Sequence, residues 1–134
     1  MELFFVDVPA IDELERAFQT MRRKQVGAVL IRGALFYVSR QQVADLALKY
    51  RLPTTHGLKE YAQAGLLLTY GANLPDLYRR AAGYVDRIFK GTKPSDLPVE
   101  QPTKFELVIN LLTANALGLT IPPSLLLRAD EVIQ

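Results

Sequence analysis

Apolar residues in this chain form short unbroken runs, separated by stretches in which they recur every three or four positions. LFFVDV (3–8) is a run of the first kind. After Pro9, IDELERAFQTMRRK places Leu14, Ala17, Phe18 and Met21 at i, i+3, i+4 and i+7, one face of a helix. The pair repeats: GAVLI (27–31) reads as a buried strand, and Ser39 with Gln42 forms a capping box before a helix striped by Val43, Leu46, Ala47 and Tyr50. Pro53 ends that helix, PTTH (53–56) is a weaker third strand, and KEYAQA is a short helix closed by Gly65. LLLTY (66–70) is a fourth strand. Asn73 then caps a long helix starting near Pro75, with Leu77, Ala81, Tyr84, Val85 and Ile88 expected inward and Gly91 at its end. Beyond a proline-rich stretch come a strand KFELVI (104–109), a short helix TANALG, and SLLLRADEVI, expected to be a helix capped by Ser124.

Continuously apolar strands alternating with helices predict a mainly parallel sheet, because parallel neighbours need crossovers and the crossover helices bury the sheet. The expected fold class is α/β, a three-layer sandwich of Rossmann or flavodoxin-like type. In such sheets ligands bind beyond the carboxyl ends of the strands. That picks out the loops Pro9–Ala10, Arg32–Val38, His56–Leu58 and Gly71–Asn73.

A chain of 134 residues, 49% apolar, suits a single domain spanning 1–134. The net charge of +2 is small and basic residues are interleaved with acids, so no nucleic-acid partner is expected. The absence of cysteine excludes disulfides, thiolate metal sites and cysteine nucleophiles. The opening residues carry neither a basic leader nor a long apolar run, so no signal peptide is read in the chain.

Neither G-x-G-x-x-G after a strand nor G-x-x-x-x-G-K-[ST] occurs, and no cofactor or metal is expected. His56, the only histidine, stands at a strand end beside Gly57, where it is either a ligand-binding group, a structural histidine or a general base. Phe36 and Tyr37 lie in a turn-like segment facing the expected cleft, placed to stack on a flat apolar ligand or to cap the core. YGAN (70–73) joins a small-residue turn to a helix N-terminus, a geometry that offers free amides to a carboxylate. Arg79, Arg80, Arg87 and Lys90 are expected to face solvent. A response-regulator receiver shares this element order but needs an aspartate ending its third strand and a lysine after its fifth; here Thr55-His56 and Asn110 stand instead.

The blocks KGTKPSDLPVEQPTKFELVIN and LGLTIPPSLLLRADE, within a stretch from about Val26 to the end, resemble the periplasmic substrate-binding proteins of ABC transporters, in the tryptophan/tyrosine-type group. The resemblance implies the C-terminal lobe of a type I periplasmic-binding-protein fold, whose members close two lobes on a small ligand. It implies a periplasmic, non-enzymatic solute-binding component that captures an aromatic or branched amino acid and presents it to an ABC permease. The family's cleft-facing loops correspond to Phe36, Tyr37 and Ser39 and to Tyr70, Gly71 and Asn73, with His56 where members often carry an aromatic; Arg32-Gly33 is also unusual. The alternative is a stand-alone flavodoxin-like domain, a small-molecule sensor or an enzyme using His56. Residues 91–103 resemble a hinge-edge connector, expected to return to its own sheet although its roughly 45 Å reach permits crossing to a second copy. A lone lobe with uncovered apolar surface is expected to form a homodimer.

Overall fold

The architecture follows from one sheet and the helices that cross over it. The computed structural model describes residues 2–33 and 36–134. In chain order the elements are α1 (Leu14–Arg23), β1 (Val29–Leu30), α2 (Arg40–Lys49), β2 (Thr54–His56), α3 (Lys59–Gln63), β3 (Leu68–Ala72), α4 (Leu74–Phe89), β4 (Phe105–Asn110), α5 (Leu111–Leu117), α6 (Pro123–Leu126) and β5 (Glu131–Ile133). The five strands lie in the order β1-β2-β3-β4-β5. All neighbours are parallel except β3 and β4, which run antiparallel with Thr69 opposite Val108. This is the α/β fold with a mainly parallel sheet that the alternating pattern predicts.

Side chains alternate across each strand. Val29 and Ile31 turn into the core while Leu30, between them, is 66% exposed. On the core side, α1 contributes Leu14, Ala17, Phe18 and Met21, and α2 contributes Val43, Ala44, Leu46 and Ala47, as their periodicity predicts. Fully buried Phe18 and Tyr61 each contribute about 1.5–3 kcal/mol by leaving water. The opposite side of the sheet is covered less completely, since Tyr70 and Phe105 join Leu30 among its exposed apolar side chains.

Four local expectations are corrected. Residues 3–8 form no strand: Val6 and Val8 reach the core on alternate positions, but the segment has no ladder partner, and Leu3, Phe4 and Phe5 stay exposed. Ser39 precedes α2, yet its side chain makes no capping bond, so the capping box does not form. SLLLRADEVI does not continue as a helix; α6 stops at Leu126, with Pro122 rather than Ser124 at its N-cap, and Glu131–Ile133 pairs with β4. Asp130 sets that pairing, its amide donating to the Leu107 carbonyl (2.9 Å) and its carboxylate accepting from the Leu107 amide (2.8 Å).

The fourth correction concerns α4. Asn73 caps it as predicted, its Oδ1 accepting from the Asp76 amide at 2.7 Å, but none of its residues is buried. Ala81, Val85 and Ile88, expected inward, are exposed. The helix packs instead on the connector that follows it. Tyr84 Oη donates to the Pro98 carbonyl at 2.6 Å, and Arg80, expected in solvent, pairs with Glu100 and reaches the Gln101 carbonyl. Between helix and connector lies an open groove of about 440 Å³, lined by Leu77, Tyr84, Ile88, Leu97 and Val99 among others. The connector then returns the chain to its own sheet as β4.

The short helix α3 depends on that return. A single turn and a half of helix does not hold in water by itself. Here the Asn110 Nδ2 donates to the Ala62 carbonyl (3.0 Å) and the Thr113 Oγ1 to the Gly65 carbonyl (2.8 Å), while Asn110 Oδ1 caps α5 by accepting from the Thr113 amide (3.0 Å). Asn110→Ala removes a cap and a buried bond together and leaves the Ala62 carbonyl only the Gly65 amide. The expected loss is about 2–3 kcal/mol in urea-induced unfolding with an unchanged denaturant slope; a loss below about 0.5 kcal/mol would show that Asn110 does not anchor α3.

Candidate functional site

Because β1, β2 and β3 are parallel, their carboxyl ends share one edge of the sheet, and antiparallel β4 begins there. The loops after these strands, with Phe105 and Glu106, make up that edge. Of the 32–38 loop expected to face the cleft, Ala34 and Leu35 lie outside the described residues.

His56 and Thr69 stand side by side in register on β2 and β3. The His56 ring stacks on Tyr61 of α3 with centroids 3.9 Å apart. Its Nδ1 accepts from the Leu58 amide at 3.0 Å, which places the proton of the neutral ring on Nε2. With its acceptor nitrogen engaged and the residue only 8% exposed, His56 is not a free general base. Burial pushes its pKa down, and Glu60 opposes this only partly. Beyond Tyr61 stands Tyr37, its ring meeting Tyr61 edge-on at 6.4 Å and lying under the Arg40 guanidinium at 5.1 Å. Tyr37 is 40% exposed, whereas Phe36 is buried in the core. Of the two aromatics singled out in this loop, then, Tyr37 reaches the surface and Phe36 does not.

The second cluster gathers at the ends of β2 and β3. Gly71 approaches Gly57 so closely that a Cβ on Gly71 would overlap the Gly57 backbone, so a small residue there is a steric necessity. Asn73, buried, uses both ends of its amide: Oδ1 caps α4, and Nδ2 donates to Glu106 Oε1 at 2.5 Å. Lys59 lies 4.0 Å from the same carboxylate. Gly57, Gly71, Lys59 and Glu106 border a cavity of about 10 Å³, room for about one water and no more. Tyr70 projects to the other side of the sheet, exposed and stacked on Phe105 at 5.8 Å. Ser39 sits half-buried at the start of α2.

The structure thus links His56 to Tyr37 through Tyr61, joins Gly71 and Asn73 to Glu106, and sets Tyr70 apart with Phe105. Sequence reasoning missed Tyr61, Arg40 and Glu106. Arg40 carried one readable signal, because a cation at the first position of a helix opposes the helix dipole. Glu106 carried none, since only strand pairing brings it beside Asn73.

Depressed protonation of His56 gives a sign for pH dependence. The unfolded chain binds a proton in the ordinary histidine range, while the folded imidazole resists it, so this stability is present above that range and lost as pH falls through it. The wild type is expected to lose stability between about pH 7 and about pH 5, and His56→Asn, which keeps an acceptor for the Leu58 amide, to show a flatter profile in pH-resolved thermal melts. Parallel profiles would place the titrating group elsewhere.

Residues 1–133 match the model of a family described as ABC transporter substrate binding protein. Among proteins of curated function, none matches significantly in sequence. Several solved structures share the fold, the following three among them. A conserved domain protein from Vibrio cholerae aligns with a TM-score of 0.83 at 25% identity, over 95% of this chain and 43% of its own. An ABC domain from Streptococcus pneumonia, solved in complex with L-Trp, aligns with a TM-score of 0.83 at 27% identity, over 94% of this chain and 44% of its own. The ligand-free, open form of a substrate binding protein with adhesive properties from Clostridium difficile aligns with a TM-score of 0.66 at 19% identity, over 95% of this chain and 42% of its own; at that identity it speaks for the fold alone. The chain therefore spans less than half the length of these structures.

Proposed function

We propose that this chain, which belongs to the ABC transporter substrate binding protein family, acts as the C-terminal lobe of a solute-binding component of an ABC importer. It captures a small amino-acid-like ligand at the carboxyl edge of β1, β2 and β3 and does no chemistry on it. The observation that carries this reading is the make-up of that edge. Exposed rings at Tyr37 and, on the other face of the sheet, Tyr70 offer apolar surfaces, and polar groups at the strand ends, Arg40 and Glu106 among them, stand ready for an amino-acid head. An aromatic amino acid has both features, and the relative at 27% identity was solved with L-Trp. The cavity there has room for about one water, so an amino acid bound at this edge needs an opposing surface to enclose it. An ABC permease is the proposed partner and the periplasm the proposed compartment. Among the described residues, no helix is long and apolar enough to cross a membrane.

Affinity arithmetic sets the expected strength. A micromolar site is worth about 8 kcal/mol, so forgoing a third of its contacts weakens binding about a hundredfold, toward the millimolar range. In a titration followed by NMR, L-tryptophan is expected to bind this chain at about that level. Tyr70→Ala is expected to weaken it about three- to tenfold, the worth of one aromatic contact. Submicromolar binding indifferent to Tyr70→Ala would refute the placement of the ligand.

We further propose that the chain by itself forms a homodimer. Val85, Ile88, Phe89 and Val99 leave apolar surface open on α4 and the connector, and Leu30, Tyr70 and Phe105 do so on the sheet. Sedimentation velocity is expected to show a dimer at high micromolar concentration; a monomer there would contradict it.

A further inference from the structure

The beginning of α2 is electrostatically unusual. Its first turn holds no acidic residue, and Ser39 lends it no side-chain cap, so the positive end of the helix dipole stands uncompensated. Arg40, a full positive charge, is added at that position. The guanidinium is held in place, NH1 donating to the Tyr37 carbonyl at 2.9 Å while the group lies over the Tyr37 ring. It is half-buried, yet among the described residues it makes no ion pair.

Tyr61 supplies an independent observation. Its side chain is fully buried, and its hydroxyl finds no hydrogen-bond partner among the described residues. A buried unpaired hydroxyl is costly, and a phenylalanine would fill the same space without that cost. The ring lies between His56 and Tyr37, and the Tyr37 ring in turn carries the Arg40 guanidinium at 5.1 Å. Tyr37, which borders it, is 40% exposed and lies outside the core cluster.

We propose that the Arg40 guanidinium, the opening amides of α2 and the Tyr61 hydroxyl form the carboxylate-binding end of the ligand site, taking an aromatic carboxylic acid whose ring lies against Tyr37. The fork of Arg40 donates to both oxygens of a carboxylate, and the Tyr61 hydroxyl donates to the same group once Tyr37 moves. This inference rests on the small-ligand reading above and specifies where the carboxylate of that ligand goes.

Calorimetric titration with L-tryptophan, indole-3-propionate (no amine) and tryptamine (no carboxylate) tests it. The wild type is expected to bind both acids and to bind tryptamine at least about tenfold more weakly. Arg40→Gln is expected to weaken both acids about tenfold and leave tryptamine unchanged, with Arg40→Lys intermediate because it keeps the charge and loses the fork. Tyr61→Phe is expected to weaken the acids about three- to tenfold without lowering the melting temperature of the ligand-free protein. Wild-type affinity for the acids in Arg40→Gln, or a Tyr61→Phe protein that melts lower with affinity unchanged, would overturn the inference alone. Failure of the wild type to bind any of the three compounds would overturn the ligand reading and this inference with it.

Discussion

The antiparallel return of β4 beside β3 is the constraint on which the rest of the molecule depends. Its ladder runs from Leu68 opposite Ile109 to Ala72 opposite Phe105. At one end of that ladder Asn110 anchors α3 and caps α5; at the other Phe105 and Glu106 arrive at the carboxyl edge of β1–β3. A parallel sheet alone presents backbone ends and loops at that edge. The returning strand adds a carboxylate and an aromatic ring, and by holding α3 it fixes Tyr61 against His56.

Three helix N-termini meet this edge, and those of the two longer helices, α2 and α4, are treated differently. At α4 the free amides are satisfied from within: Asn73 Oδ1 takes the Asp76 amide, Asp76 itself places a negative charge in the first turn, and Glu106 stands behind Asn73. Extra negative charge there meets repulsion. At α2 nothing comparable is supplied, and Arg40 deepens the positive field. The helix whose sequence best advertises an N-terminus is thus the one already capped and charged by its own neighbours, and the less conspicuous one is open to an anion.

Much of the fold was legible because its signals are local. The stripes of α1 and α2 point where their periodicity says, and the Asn73 cap forms as the sequence implies. What failed to be legible was non-local. The apolar residues of α4 look like a buried stripe, but whether a stripe is buried depends on what lies opposite, and here that is only the connector. LFFVDV has strand composition without a ladder, and EVI became a strand because Asp130 found the edge of β4. The candidate site divides the same way. Tyr37, Gly71 and Asn73 were readable from strand ends and turns; Glu106 and the orphan hydroxyl of Tyr61 follow from pairing and packing, which leave no short-range trace.

The placement of ligand at the carboxyl edge is tested most directly by amide hydrogen exchange with and without saturating L-tryptophan. Slowed exchange is expected at residues 37–43, 57–61, 70–74 and 105–106, where the loops after β1, β2 and β3 meet the start of β4. Slowing confined to the opposite edge, around 52–54, 65–67 and 110–113, or along α4 and residues 94–100, would contradict that placement.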